Sequence, residues 1–198
     1  MKILLCSDMH GSLDAFEQIR QKSQEVDLIV CAGDITLFEK DIDFFIRMFS
    51  ELGKEVIIIH GNHEDAQLME MLCSRYNNLH FIHKQKKKIE DILFIGYGGG
   101  GFSFKDSQLK GMERKMESWI KEHKSGKVVL ISHGPPYGTK LDKLDMGHVG
   151  NITLREFIVK YQMDLLVCGH IHENAGKRDK IKKTVLIYPH INGEIIEI

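Results

Sequence analysis

Short, wholly apolar runs alternate along the chain with longer stretches in which apolar residues recur every third or fourth position. Residues 3–6, 28–31 and 56–59 are such runs, and each leads into a segment of helical periodicity, at 13–23, 42–52 and 66–75. Strands apolar on both faces, each followed by an amphipathic helix, predict parallel βαβ units in a sheet covered on both sides. The pattern continues with a strand at 92–95, a helix at 109–120 carrying Leu109, Met112, Met116 and Trp119 on one face, and a strand at 128–131. Thr153-x-x-Glu156 fits a capping box for a helix whose Leu154, Phe157, Ile158 and Tyr161 keep i, i+3, i+4, i+7 spacing. That helix feeds a strand at 165–168, and the apolar runs 185–187 and 195–196 predict a closing hairpin that turns at Asn192 and Gly193. The class is α/β. With no repeat, low-complexity tract or linker, residues 1–198 read as a single domain.

Composition agrees with a full core: the 198 residues are 42% hydrophobic and 28% charged. Lys plus Arg (27) nearly balance Asp plus Glu (28), so no global field recruits nucleic acid or an anionic membrane. Any anionic ligand must be attracted locally. The one dense basic run, Lys86 to Lys88, opens a predicted strand and reads as a solvated sheet edge rather than a nucleic-acid contact. No apolar stretch is long enough to cross a bilayer, and residues 1–5 run into charged positions without a cleavage signature, which predicts a cytoplasmic protein. Cys6, Cys31, Cys73 and Cys168 form no C-x-x-C pair and read as small buried hydrophobes.

The chemistry gathers just after the strands. In open α/β sheets ligands bind beyond the carboxyl ends of strands. Those positions carry Asp8-Met9-His10, Gly33-Asp34, Gly61-Asn62-His63-Glu64, Ser132-His133-Gly134 and Gly169-His170-Ile171-His172. Residues i and i+2 of an extended segment point the same way, so His170 and His172 suit a metal site. A metal site needs three or more protein ligands, and the other strand ends must supply them. A glycine stands beside each block, where it would let the backbone turn tightly. Gly96 to Gly101 formally fits G-x-G-x-x-G after a strand. Phe102-Ser103-Phe104 follows instead of a helix start, so this run reads as a rim near the site and not as a dinucleotide fingerprint.

The ordered set from Asp8 to His172 resembles the calcineurin-like metallophosphoesterase family, and the stretch from His133 through Gly150 to His172 is similar to its small bacterial and archaeal members. The resemblance implies a four-layer αββα sandwich of two mixed sheets flanked by helices, the metallo-dependent phosphatase-like fold. It also implies two divalent ions, one held by Asp8, His10 and His172, the other by Asn62, His133 and His170, with Asp34 bridging them. Carboxylates can serve two cations at once and neutral imidazoles suit borderline ions, so Mn, Fe or Zn are expected, with Ni, Co or Mg as alternatives. The reaction implied is hydrolysis of a small phosphate ester by a hydroxide bridging the two ions, with His63 protonating or stabilising the leaving alkoxide. A phosphodiester is favoured because no basic clamp for a dianion is recognisable. Phosphomonoesterase, nucleotidase or nuclease chemistry on the same site, or a non-catalytic metal-binding scaffold, are the alternatives, and a homodimer is implied by the small relatives.

The match is incomplete in places. Some relatives carry an acid three positions after the bridging aspartate to orient the catalytic histidine, but that position is Leu37 here, which leaves Glu64 as the candidate to orient His63. Many small relatives end on an Asn-Pro-Gly turn, where this chain has Tyr188 to Gly193. His148, Tyr137 and Phe102 are candidate substrate contacts. His60, His80, His83, His123 and His190 belong to no block and read as structural, while Pro135 and Pro136 stiffen the loop that aims His133.

Overall fold

The structure, a computed structural model, describes residues 1–101 and 103–198. The chain runs β1 (Lys2–Cys6), α1 (Leu13–Ser23), β2 (Leu28–Cys31), α2 (Ile42–Ser50), β3 (Glu55–Ile58), α3 (Ala66–Cys73) and β4 (Leu79–Phe81). It continues through β5 (Gln85–Ile89), β6 (Ile92–Tyr97), α4 (Ser107–Glu122), β7 (Lys127–Ser132), the short hairpin β8 (Lys143–Leu144) and β9 (Gly147–His148), and α5 (Ile152–Tyr161). It ends with β10 (Leu165–Val167), β11 (Arg178–Ile181), β12 (Thr184–Ile187) and β13 (Glu194–Glu197). Two mixed sheets result, ordered β13-β1-β2-β3-β4 and β11-β12-β10-β7-β6-β5. Pairing is parallel from β1 through to the edge strand β4 in the first sheet, and from β12 through β10 and β7 to β6 in the second. Antiparallel neighbours, β13 on β1, β5 on β6 and β11 on β12, form the other three edges.

The period-two alternation of the strands explains why the runs are apolar throughout. From β1, Ile3 and Leu5 face one way, joining Val30 and Ile57 of the same sheet against Phe94, Val129, Ile131 and Val167 of the other. Leu4 and Cys6 face the opposite way, into Phe16, Phe45, Phe49 and Met69 beneath α1, α2 and α3. The second sheet does likewise, its Ile95, Leu130 and Leu166 packing on Leu109, Met116, Leu154 and Ile158 of α4 and α5. Helix, sheet, sheet and helix therefore stack as four layers, and burying each such large side chain is worth roughly 1.5–3 kcal/mol. The four cysteines are buried and free within these layers, and Lys86 to Lys88 lie on the edge strand β5. Among the described residues no helix is long and apolar enough to cross a membrane.

Two expectations are corrected. Residues 185–187 and 195–196 do not form a hairpin with each other: β12 pairs with β10 and β11 in the second sheet, whereas β13 pairs with β1 in the first. Both flanks of β12 are already taken, so the last apolar run satisfies its backbone on the free edge of the other sheet. The hairpin that does form joins β11 to β12 and turns at Lys182, whose φ is 51°. Nor does Thr153 cap α5. The cap is Asn151, whose side chain accepts the Leu154 N–H at 2.9 Å, while Thr153 Oγ1 accepts the Asp106 N–H at 3.1 Å and fixes the start of α4.

Candidate metal centre

Every ligand-type side chain leaves the carboxyl end of a strand: Asp8 and His10 after β1, Asp34 after β2, Asn62 and His63 after β3, His133 after β7, His170 and His172 after β10. Backbone bonds stitch these turns together. The Asp8 and His10 N–H groups donate to the Gly33 and Asp34 carbonyls at 3.0 and 3.1 Å, and the Gly169 N–H to the His133 carbonyl at 2.8 Å. Two further bonds cross between the sheets, His133 Nδ1–H to the Ala32 carbonyl at 2.8 Å and His170 N–H to the Asp8 carboxylate at 3.0 Å.

The turns are sharp. Asp8, His10, Asp34 and His170 all hold φ in the left-handed region, at 57°, 47°, 51° and 78°. Such backbone persists only where its surroundings over-determine it, which is characteristic of functional sites. The neighbouring glycines have two separate jobs. Gly33 supplies the tight bend, at φ 94°. Gly61 and Gly169 instead allow close approach, since a Cβ would strike the Asp34 carboxylate at one and the Ser7 hydroxyl and Asp8 carboxylate at the other.

The converging atoms form two groups that share a carboxylate. Asp8, His10, Asp34 and His172 offer one set of ligand atoms, and Asp34, His133 and His170 another, the atoms of each set lying within 4.8 Å of one another. Within them, His10 Nε2 faces His172 Nε2 at 2.9 Å, and Asp34 Oδ2 lies 3.7 Å from His10 Nε2 and 3.2 Å from His133 Nε2. Asn62 Oδ1 stands 3.0 Å from His133 Nε2 and so belongs with the second group. Imidazole nitrogens turned towards carboxylate oxygens and towards one another are a donor set for first-row divalent ions.

A model of the calcineurin-like phosphoesterase family matches residues 1–174. The chain belongs to that family. A Methanocaldococcus jannaschii protein, itself uncharacterised, is 33% identical over 200 residues, covering 96% of this chain and 88% of its own. The fold is shared with TT1561 of Thermus thermophilus, at 17% identity and a TM-score of 0.75, over 96% of this chain and 90% of that one. It is shared also with a protein from Danio rerio described as a dimetal phosphatase, at 12% identity and a TM-score of 0.67, over 96% and 88% of the two chains.

Membership of the calcineurin-like phosphoesterase family implies divalent metal ions, and the electrostatics of the turns suit them. The Ala32 carbonyl can only accept, so His133 carries a hydrogen on Nδ1 and aims Nε2 at Asp34. Such a backbone partner fixes tautomer and orientation in metal-binding histidines. Burial opposes the charge on Asp34, yet the hydrogen bond and charge of His133 hold its pKa at about 2. Burial likewise opposes a cation at His133, yet Asp34 lifts it to about 9. Burial depresses His10, and takes His170 to about 4, so both are neutral nitrogen donors at neutral pH. A hydrogen bond donated to the Asp8 carboxylate raises the pKa of His172.

The remaining candidates fall outside these groups. Glu64 does not orient His63. Its buried carboxylate accepts the N–H groups of Asp34 at 3.1 Å, Thr36 at 2.9 Å and Gly61 at 2.8 Å, and so clamps the turn after β2 to the turn after β3. His63 Nε2 lies 3.9 Å from Asp34 Oδ2. His148 stands on β9 with its Nδ1 on Asp142 at 2.8 Å, and the Tyr137 ring packs beside it at 5.6 Å between centroids. Asp142 was not legible as functional. It is fully buried and also accepts the Gly138, Thr139 and Gly150 N–H groups. Gly99 to Gly101 do line a narrow cleft with Pro135, Gly150 and His170, which makes them the rim expected of them. Phe102 lies outside the described residues.

Proposed function

We propose that the chain hydrolyses phosphodiesters at a centre of two divalent ions. Asp8, His10 and His172 would hold one ion, Asn62, His133 and His170 the other, and Asp34 both. The observation that carries this reading is the position of the Asp34 carboxylate, which is common to both clusters of ligand atoms. Bound there, divalent ions would acidify water and polarise phosphoryl oxygens. Ligand softness favours Mn, Fe or Zn.

The protein's own groups do the rest. Asp34, held ionised by His133, anchors the centre. His63 stands beside it, its backbone N–H donating to Asp34 Oδ1 at 3.1 Å, and gives a proton to the leaving oxygen as the P–O bond breaks. The cleft residues at His170 include no lysine or arginine among the described ones, so nothing there neutralises a second substrate charge. That favours a singly charged diester over a dianionic monoester.

The test is direct. Protein stripped with chelator is reloaded with Mn, Fe, Zn, Co, Ni or Mg and offered bis(p-nitrophenyl) phosphate and p-nitrophenyl phosphate. Ion-dependent turnover of the diester, exceeding that of the monoester, is expected. Turnover of the monoester alone would overturn the diester reading, and inertness with every ion would leave a non-catalytic scaffold.

A further inference from the structure

The segment after Asp34 is bent in a way its sequence does not demand. Phe38, Glu39 and Asp41 all hold left-handed φ, at 49°, 62° and 57°. For a bulky aromatic this conformation is a genuine outlier, maintained only by surrounding constraints. Burial does not compensate, because Phe38 is 76% exposed. The constraints are polar. Glu39 accepts the Asp65 N–H at 2.7 Å at the head of α3, and the Lys40 and Ile42 N–H groups close turns onto the Leu37 and Glu39 carbonyls at 3.2 and 3.1 Å.

The bend brings Phe38 against His63. The Phe38 ring meets the His63 imidazole edge to face, with centroids 4.5 Å apart and planes at 63°. On another side, His10 meets the same imidazole at 5.0 Å and 89°. His63 Nδ1 is buried and has no hydrogen-bond partner among the described residues. The side chain three positions after Asp34 is Leu37, which cannot accept a proton, and Glu64 is committed to backbone N–H groups. The imidazole therefore has no polar anchor through Nδ1, and its direction is set by the rings that enclose it.

We propose that Phe38 is a positioning residue for His63: its strained, exposed ring holds the imidazole with Nε2 turned towards Asp34, a task that a hydrogen-bonding carboxylate could otherwise perform. The inference rests on the role given to His63 above. It follows that Phe38 matters where proton donation matters. When the P–O bond breaks, the departing oxygen keeps the electron pair and takes the Nε2 proton, and a poor leaving group needs that proton more than a good one.

The experiment compares Phe38→Gly, Phe38→Leu and Phe38→Tyr in metal-loaded protein, using ethyl phosphodiesters of phenol and of p-nitrophenol. For Phe38→Gly and Phe38→Leu, kcat on the phenyl ester should fall about tenfold or more while the p-nitrophenyl ester stays within about twofold. Phe38→Tyr, which keeps the ring, should restore both. Phe38→Gly should not lower the melting temperature, because glycine adopts the left-handed region freely. In metal-free protein, the His63 ring protons, assigned with His63→Ala, should lose their ring-current shift in Phe38→Leu. Equal losses on both esters with a lower melting temperature would mean a structural residue and overturn the proposal, as would an unmoved His63 signal. An inert wild type overturns the reading of function itself, whereas an active wild type with indifferent Phe38 variants overturns this inference alone.

Discussion

Glutamine at position 64 keeps the shape of the glutamate and removes half of its accepting capacity. Oε2 of Glu64 takes two backbone N–H groups, from Gly61 at 2.8 Å and Asp34 at 3.1 Å, while Oε1 takes that of Thr36 at 2.9 Å. The residue is 6% exposed, so water does not stand in for a lost partner. The better amide orientation keeps oxygen towards Asp34 and Gly61 and turns NH2 against the Thr36 N–H. One buried donor is orphaned, at about 1–3 kcal/mol. Two charge-assisted bonds become neutral ones of roughly half the strength, about 1 kcal/mol each. Burial already pushes the Glu64 pKa up, so losing the charge offsets part of this cost. The net destabilisation is about 2–4 kcal/mol, or about 5–10 °C in melting temperature for a chain of this size. Calorimetry or urea unfolding of Glu64→Gln in chelator measures it without interference from ion binding. A melting temperature within about 2 °C of wild type would refute the clamp.

His63→Ala should retain its ions by elemental analysis while kcat on a diester with a poor leaving group falls by about 10²–10⁴; undiminished turnover would remove His63 from the chemistry. Asp34→Ala should lose the two-ion centre, and an unchanged ion count per chain would contradict its sharing. In metal-free protein the His133 pKa is raised from 6.5 to about 9. Its contribution to stability is therefore complete below about pH 6.5 and lost as pH rises through about 9, amounting to at most about 3 kcal/mol. Urea unfolding of wild type against Asp34→Asn across pH 6–10 should show this decline in wild type alone; parallel curves would mean that the pair is not coupled.

Much of this architecture is legible in the chain because the signals are local. Fully apolar runs such as residues 28–31 report strands covered on both faces, and an acid, amide or histidine beside glycine just beyond them reports a turn built to present it. Partner choice is less legible. Nothing in residues 195–196 says that they pair with β1 rather than with β12, because the decision depends on which sheet edge remains free. The cap of α5 is ambiguous for a similar reason, since Asn151 and Thr153 are both capping residues and only the presence of the Asp106 N–H directs Thr153 elsewhere. Glu64 is visible as an acid beside His63, but two of its three partners, Asp34 and Thr36, lie on the turn after β2, 30 and 28 positions upstream. Phe38 carries no signature, as left-handed backbone at a phenylalanine is imposed by tertiary contacts and not by propensity.

The account turns on Asp34 serving two ions at once, and anomalous diffraction from crystals reloaded with Mn or Zn, paired with an ion count per chain in solution, addresses it most directly. Two peaks are predicted, both in contact with Asp34, one also touching Asp8, His10 and His172 and the other Asn62, His133 and His170. A single peak, or two peaks of which one lies away from Asp34, would contradict it.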